Sequence, residues 1–217
     1  MPPSCRLALA LLASVLPFAA SAETAHYALD PVHTRVLFAV SHAGFSQALG
    51  TVSGSHGELW FDPDDWSSAK LTVEVPLQRL DMGDEKWTKA VLAANLLDSK
   101  DFPVARFASK RIEAQDATHA RVCGDLTLHG VTRDTCLDVT FNQLKRHPLP
   151  PFRRTAGFSA TTTLSRKDFG IVAWPTVIGD AVELRIEAEA VRAHAASDDS
   201  DSSPAPASET DATETHP

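Results

Sequence analysis

Cysteine is scarce: the 217 residues contain three, Cys5, Cys123 and Cys136. One pair beyond the N-terminal region is too few for a disulfide-dense scaffold, so the fold must rest on a hydrophobic core. No CxxC spacing is present, which argues against a thioredoxin-type redox pair. Basic charge is not in excess: 20 Lys and Arg stand against 28 Asp and Glu, for a formal charge of -8, and no nucleic-acid footprint is visible. Beyond the N-terminus, no run approaches the ~20 apolar residues of a membrane-spanning helix. The nine histidines form no HExxH or comparable ligand spacing. Ser46 and Ser159 each follow Gly-Phe, but neither sits in a GxSxG elbow. No catalytic constellation, metal site or cofactor is therefore expected.

The termini differ in composition from the rest. Residues 1–22 combine Arg6, an apolar run from Leu7 to Ala20 and the small-residue pattern Ala20-Ser21-Ala22. That is the pattern of a secretory signal peptide, and export is expected. Residues 197–217 hold six acidic residues, no Lys or Arg, and otherwise mainly Ser, Ala, Thr and Pro. With almost nothing to bury, they read as a disordered acidic tail. Residues 23–196 are left as one domain.

Alternation dominates that domain. "TRVLFAVSH" places Thr34, Val36, Phe38, Val40 and His42 on one face. "KLTVEVPL" does the same for Leu71, Val73, Val75 and Leu77, and "RVCGDLTL" for Val122, Leu126 and Leu128. "GFSATTTL" aligns Phe158, Ala160, Thr162 and Leu164, and "AVELRIEAEA" aligns Val182, Leu184 and Ile186. Period two with one apolar face marks half-buried antiparallel strands, and several at short spacing predict an all-β sandwich or barrel. Residues 84–99 break the pattern. They read as a helix of two to four turns ending near Asn95 and before Pro103.

In "RVCGDLTLHGVTRDTCLDVTF", His129-Gly130 resembles a two-residue hairpin turn. Counting outward, Leu128 faces Val131 and Cys123 faces Cys136 as a non-hydrogen-bonded pair, with Cα atoms about 4.5 Å apart. Parity with Asp125, Asp134 and Asp138 places both cysteines on the polar outer face. In an exported chain, that geometry predicts a disulfide stapling one hairpin.

The same hairpin carries a family resemblance. "GDLTLHGVTRD" resembles the central signature of the YceI-like polyisoprenoid-binding family. The blocks "YALDPVHTRVLFAVSHAGFSQALGTVSGSHGEL", "LDMGDEKWTKAVLAANLLDSKDFPVARFAS", "AGFSATTTLSRKDFGI" and "IGDAVELRIEAEA" agree in order. The resemblance implies an eight-stranded antiparallel lipocalin-like barrel, here with one or two short helices. It further implies a lumen holding a long isoprenoid chain, and a periplasmic location. Cys123, Cys136 and the acidic tail lie outside the family pattern.

The inward faces nominate Phe38, Val40, Phe107, Phe158, Ala160 and Leu164 as lumen residues. Arg133, Arg154, Arg166 and Asp168 are charged residues of inward parity near strand ends. They read as rim charges or an Arg-Asp pair closing the barrel, or else as a ring meeting a ligand head group. His42 belongs with these rim positions. Trp60, Trp66, Trp87 and Trp174 read as core or rim packing. The expected function is non-catalytic binding of an isoprenoid lipid of the prenyl phosphate or quinone class. A homodimer is compatible with the sequence. The alternatives are an enzyme acting on that lipid, and an interaction module with a filled core.

Overall fold

The structure, a computed structural model, describes residues 24–193. The expected signal peptide and acidic tail lie outside the described residues. The strands are β1 (Ala25–Leu29), β2 (Arg35–His42), β3 (Ser46–Val52), β4 (His56–Phe61), β5 (Lys70–Pro76), β6 (Leu80–Asp81), β7 (Val104–Ala114), β8 (His119–Leu128), β9 (Val131–Arg146), β10 (Arg154–Ser165) and β11 (Ile178–Arg192). One α-helix, α1 (Glu85–Leu92), follows β6.

Eight of these strands form a closed antiparallel ring in the order β1-β4-β5-β7-β8-β9-β10-β11, with β1 returning to β11. The long β11 explains how the other three fit. Its C-terminal part pairs with β1 and its N-terminal part with β2, so β1 and β2 are two lengths of one stave, broken at residues 30–34. β3 and β4 continue one another in the same way across residues 53–55, and β6 pairs on the far edge of β3. Closure removes the unpaired edges that would otherwise template aggregation.

The β8–β9 hairpin has the predicted register: Leu128 faces Val131 and Cys123 faces Cys136. His129 and Gly130 have φ of 52° and 73°, the two positive values a type I′ turn requires. The disulfide is present with a Cα–Cα separation of 4.0 Å, tighter than the expected spacing. Neither cysteine lines the barrel cavity, so the pair keeps its outward parity; what parity does not show is depth. Cys136 borders a shallow outer groove with Arg121 and Asp138, but Cys123 has no exposed surface. The β7 bulge between Ser109 and Arg111 lies directly beside it.

The helix, eight residues long, falls within the expected two to four turns but ends earlier than expected. Asp84 caps it by accepting from Trp87 N, and Lys89 in the last turn suits the dipole. It stops at Leu92 rather than near Asn95 because a wide loop takes the last carbonyls. Leu97 N donates to Val91 O and Ser99 N to Leu92 O. The loop turns Leu96 into a cluster with Phe169 and Ile171.

Candidate lipid-binding cavity

Alternating side chains from all the ring strands leave an apolar cavity of about 510 Å³ inside the barrel. One end is closed by aromatic packing. Phe61 meets Trp66, Phe141 and Phe158 at centroid distances of 5.3, 5.2 and 5.4 Å, each close to edge-on. Trp66 arrives on a short 3-10 turn, Trp66–Ser68, which Asp65 caps from its side chain. Tyr27, Leu59 and Val122 complete this buried cluster.

The apolar strand faces read as inward do line the cavity, including Thr34, Val36, Val73, Leu126 and Leu184. The six lumen candidates, Phe38, Val40, Phe107, Phe158, Ala160 and Leu164, are all in its wall. Ala160 lies between Val139 and Ile186 on its two neighbouring strands, so the small side chain leaves bore where three strands meet. Gly50 has a comparable role: a Cβ there would sit 2.3 Å from the Phe38 ring, so only glycine lets that ring lie against β3.

The opposite end is a mouth built by the β2–β3 turn, α1 and the chain before β11. His42 reaches it as expected and packs edge-on against Trp87 at 5.6 Å. Trp174 and Val177 complete the border. The loop hydrogen-bonds to the hairpin through Ala43 N and Val177 O at 2.6 Å.

The charged candidates separate. Arg166 is 5% exposed and lines the cavity. It makes no pair with Asp168, which points to solvent and whose amide bonds to Ser165 Oγ. The Arg166 guanidinium donates to three backbone carbonyls instead: Nε to Gly179 O at 2.8 Å, Nη1 to Ile171 O at 2.6 Å and Nη2 to Ile178 O at 2.9 Å. It therefore clamps both ends of the loop between the Arg166–Phe169 3-10 turn and β11. A planar fork with fixed donor directions suits that task. The expected closing pair or charged ring does not form. Arg133 and Arg154 are exposed and absent from the cavity wall. Arg133 bonds to Thr132 O at the strand end, and Arg154 lies opposite Arg146 at the closed end.

Sequence reasoning missed most of the loop contribution, namely Phe169, Ile171 and Val177. These residues carry no strand period, and the loop's hydrogen bonds, with the Arg166 clamp among them, give them their places. The four tryptophans divide. Trp66 is core, Trp87 and Trp174 border the mouth, and Trp60 stacks on His26 outside the barrel.

Among the described lining residues only His42 and Arg166 can carry charge. The groups whose acidity is displaced, Asp30, His33, Asp116, Asp180 and Glu187, all lie outside the wall. Asp30, His33 and Glu189 bring ligand-type atoms within 4.8 Å of one another, but the His33 ring already bonds to Asp30 at 2.8 Å. The cavity thus offers shape and apolar surface rather than paired acid and base.

Comparison with known proteins agrees with this architecture. Residues 27–190 match the YceI-like domain family. A UPF0312 protein of Pseudomonas putida strain W619 is 35% identical over 183 residues, covering 83% of this chain and 94% of that protein. The crystal structure of Burkholderia cenocepacia BcnA superposes with a TM-score of 0.66 at 20% identity, over 74% of this chain and 98% of BcnA. A polyisoprenoid binding domain from Saccharophagus degradans gives 0.54 at 14% identity, over 79% and 100% of the respective chains. At these identities the two structures establish the fold alone.

Proposed function

The chain belongs to the YceI-like family, and on that premise we propose that it is an exported, periplasmic, non-catalytic protein that holds an isoprenoid-type lipid in the barrel. The observation that carries this reading is the cavity: about 510 Å³, closed by aromatics at one end, open at the other and predominantly apolar. Its volume falls within the ~300–1,000 Å³ range of small-molecule sites. A flexible isoprenoid loses conformational freedom on entry, but each buried CH₂ contributes about 0.8 kcal/mol, so several isoprene units outweigh that cost. The name of the Saccharophagus degradans domain points to the same ligand class. A prenyl phosphate or a quinone would place its head group at the mouth, near His42. The open bore disfavours the filled-core interaction module, and the absence of an acid–base pair among the described lining residues disfavours turnover of the lipid.

Native mass spectrometry of protein isolated from the exported fraction tests this directly. A bound apolar chain, recovered chemically unchanged, is the expected result. Ala160→Trp fills the bore where Val139, Ala160 and Ile186 meet, and should lower uptake at least about tenfold, roughly 1.4 kcal/mol. Undiminished uptake by a folded Ala160→Trp protein would exclude this cavity, and conversion of the lipid would replace the non-catalytic binding reading with an enzyme.

A further inference from the structure

Three segments distant in sequence meet around the mouth, and each turns apolar side chains outward. The β2–β3 turn presents Phe45, 92% exposed. The chain before β11 presents Val172 and Trp174, 59% and 49% exposed, and α1 presents Trp87. The segments are contiguous through the Ala43–Val177 hydrogen bond and the His42–Trp87 contact. Exposed single hydrophobics need no explanation, but a ring of them around one opening does.

We propose that this rim is a docking surface for a lipid bilayer, through which the cavity is loaded; the loading step rests on the lipid-binding reading above. Four features favour a bilayer over a second protein surface. The tips project: a Cβ at Gly44 in the hairpin turn, or at Gly83 ahead of α1, would meet no atom within 4 Å. Projecting tips around a hole suit a deformable layer better than a flat face. Phe and Trp side chains are the ones that settle at the headgroup boundary. The flanking charges are of both signs, Lys86, Lys89 and Lys167 beside Asp81, Asp84, Glu85, Asp168 and Asp180, with no basic excess to draw an anionic surface. Attachment is then driven by apolar burial and depends little on lipid charge. Finally, the rim continues into the cavity, since Trp87, Trp174 and Val177 belong to both. A lipid moving from bilayer to barrel stays on apolar surface for the whole path.

The test uses full-length protein and a Phe45→Ser/Val172→Ser variant, two positions outside the cavity wall. Sucrose-loaded vesicles of phosphatidylethanolamine and phosphatidylglycerol are sedimented with each protein. Equilibrium uptake of a polyprenol from detergent is measured in parallel. The wild type is expected to sediment with the vesicles, with little change on raising salt from about 0.1 M to about 1 M, across which the Debye length falls from ~10 to ~3 Å. The variant should bind vesicles at least about tenfold more weakly, equivalent to roughly 1.4 kcal/mol. Its uptake from detergent should match the wild type, while its uptake from vesicles slows. Equal sedimentation of the two proteins overturns the docking proposal, as does a wild type that takes up polyprenol from detergent yet ignores vesicles. A dimer detected by light scattering and dissolved by the double substitution, without vesicle binding, assigns the rim to a second copy and also overturns it. Vesicle binding that depends on Phe45 and Val172, with no polyprenol uptake by either protein, upholds docking and overturns the lipid-binding reading instead.

Discussion

At the closed end of the barrel, Phe61, Trp66, Phe141 and Phe158 pack on one another from regular strands and a capped turn. At the mouth, Phe45, Trp87 and Trp174 stand apart on loop tips and on a two-turn helix. The residue types are the same and the supports differ. Strand alternation fixes side chains on a narrowing bore, so at the closed end aromatic rings fill the space and exclude water. At the mouth the backbone is irregular, and its shape is held by polar bonds: the Arg166 clamp, the Ala43–Val177 bond and the closure of the α1 loop on Val91 and Leu92. The closed end is stabilised by aromatic burial; the mouth adds hydrogen bonding to a smaller buried cluster, Leu96, Phe169 and Ile171, and leaves its outer apolar side chains available for something other than the core.

That contrast predicts unequal responses to substitution. Phe61→Ala should be the most damaging change, because it removes the ring on which three others pack. Deletions of buried Phe cost about 3–5 kcal/mol, and urea unfolding should show a loss of about 4. Trp87→Ala at the mouth should cost less than about 1 kcal/mol, since the ring is partly exposed. Equal losses at the two positions would erase the distinction. Next in size is Arg166→Ala, which strands the carbonyls of Ile171, Ile178 and Gly179 away from their donor. Hydrogen bonds to charged groups contribute about 1.5–3 kcal/mol each, and partial rehydration should limit the total to about 3. Arg166→Lys should restore only part of this, because an ammonium cannot reach three carbonyls as a planar fork does. Hydrogen exchange should locate the damage in residues 170–178 rather than at the closed end.

The same contrast explains what was legible in the sequence. The apolar inward strand faces were readable, because period two survives wherever the wall is regular, and the Cys123–Cys136 register followed from counting outward from His129-Gly130. The irregular end was not readable. Arg166 has the parity of a rim charge, yet its partners are carbonyls five to thirteen residues away, and carbonyls leave no trace in side-chain pattern. The helix end was misplaced for a related reason, since Leu97 and Ser99 amides replace the expected helical donors. The burial of Cys123 beside a β7 bulge was equally invisible to parity.

The disulfide lies on the wall between the two ends and tests whether they unfold together. Cross-linking a loop of about 15 residues is worth roughly 3 kcal/mol on a chain-entropy basis. The β8–β9 hairpin already keeps these residues near one another, so Cys123→Ser/Cys136→Ser should cost somewhat less, about 2 kcal/mol. The unfolding transition should shift without splitting. Two separated transitions would mean that the staple couples ends that are otherwise independent. Free thiols at both positions in freshly isolated protein would remove the bond from the account altogether.

The smallest effect belongs to the break between β1 and β2, where the closed half of the wall passes into the mouth half. Asp30 Oδ1 accepts from Val32 N at 2.8 Å, and Oδ2 pairs with His33 Nδ1 at 2.8 Å. That side-chain bond, reinforced by the Asp30 charge, raises the His33 pKa above its usual value. Partial burial pushes Asp30 upward, but the bonds from His33 and from the Val32 and His33 amides outweigh it, and its pKa is lowered. A raised histidine stabilises the fold below its unfolded value of about 6.5, and that contribution is lost as pH rises through the folded value. The lowered Asp30 stabilises above its unfolded value of about 3.9, and that contribution is lost as pH falls through the folded value. The pair is therefore strongest between about pH 4 and 6.5. With 57% of the His33 side chain exposed, screening limits the pair to a few tenths of a kcal/mol. His33→Gln should lower the melting temperature more at pH 5.5 than at pH 8.5, by a degree or so, and the difference should shrink in high salt. A His33→Gln penalty that is the same at both pH values would show that the break is held by its backbone bonds, Thr34 N to Asp30 O and Asp30 N to Glu189 O, and not by the ion pair.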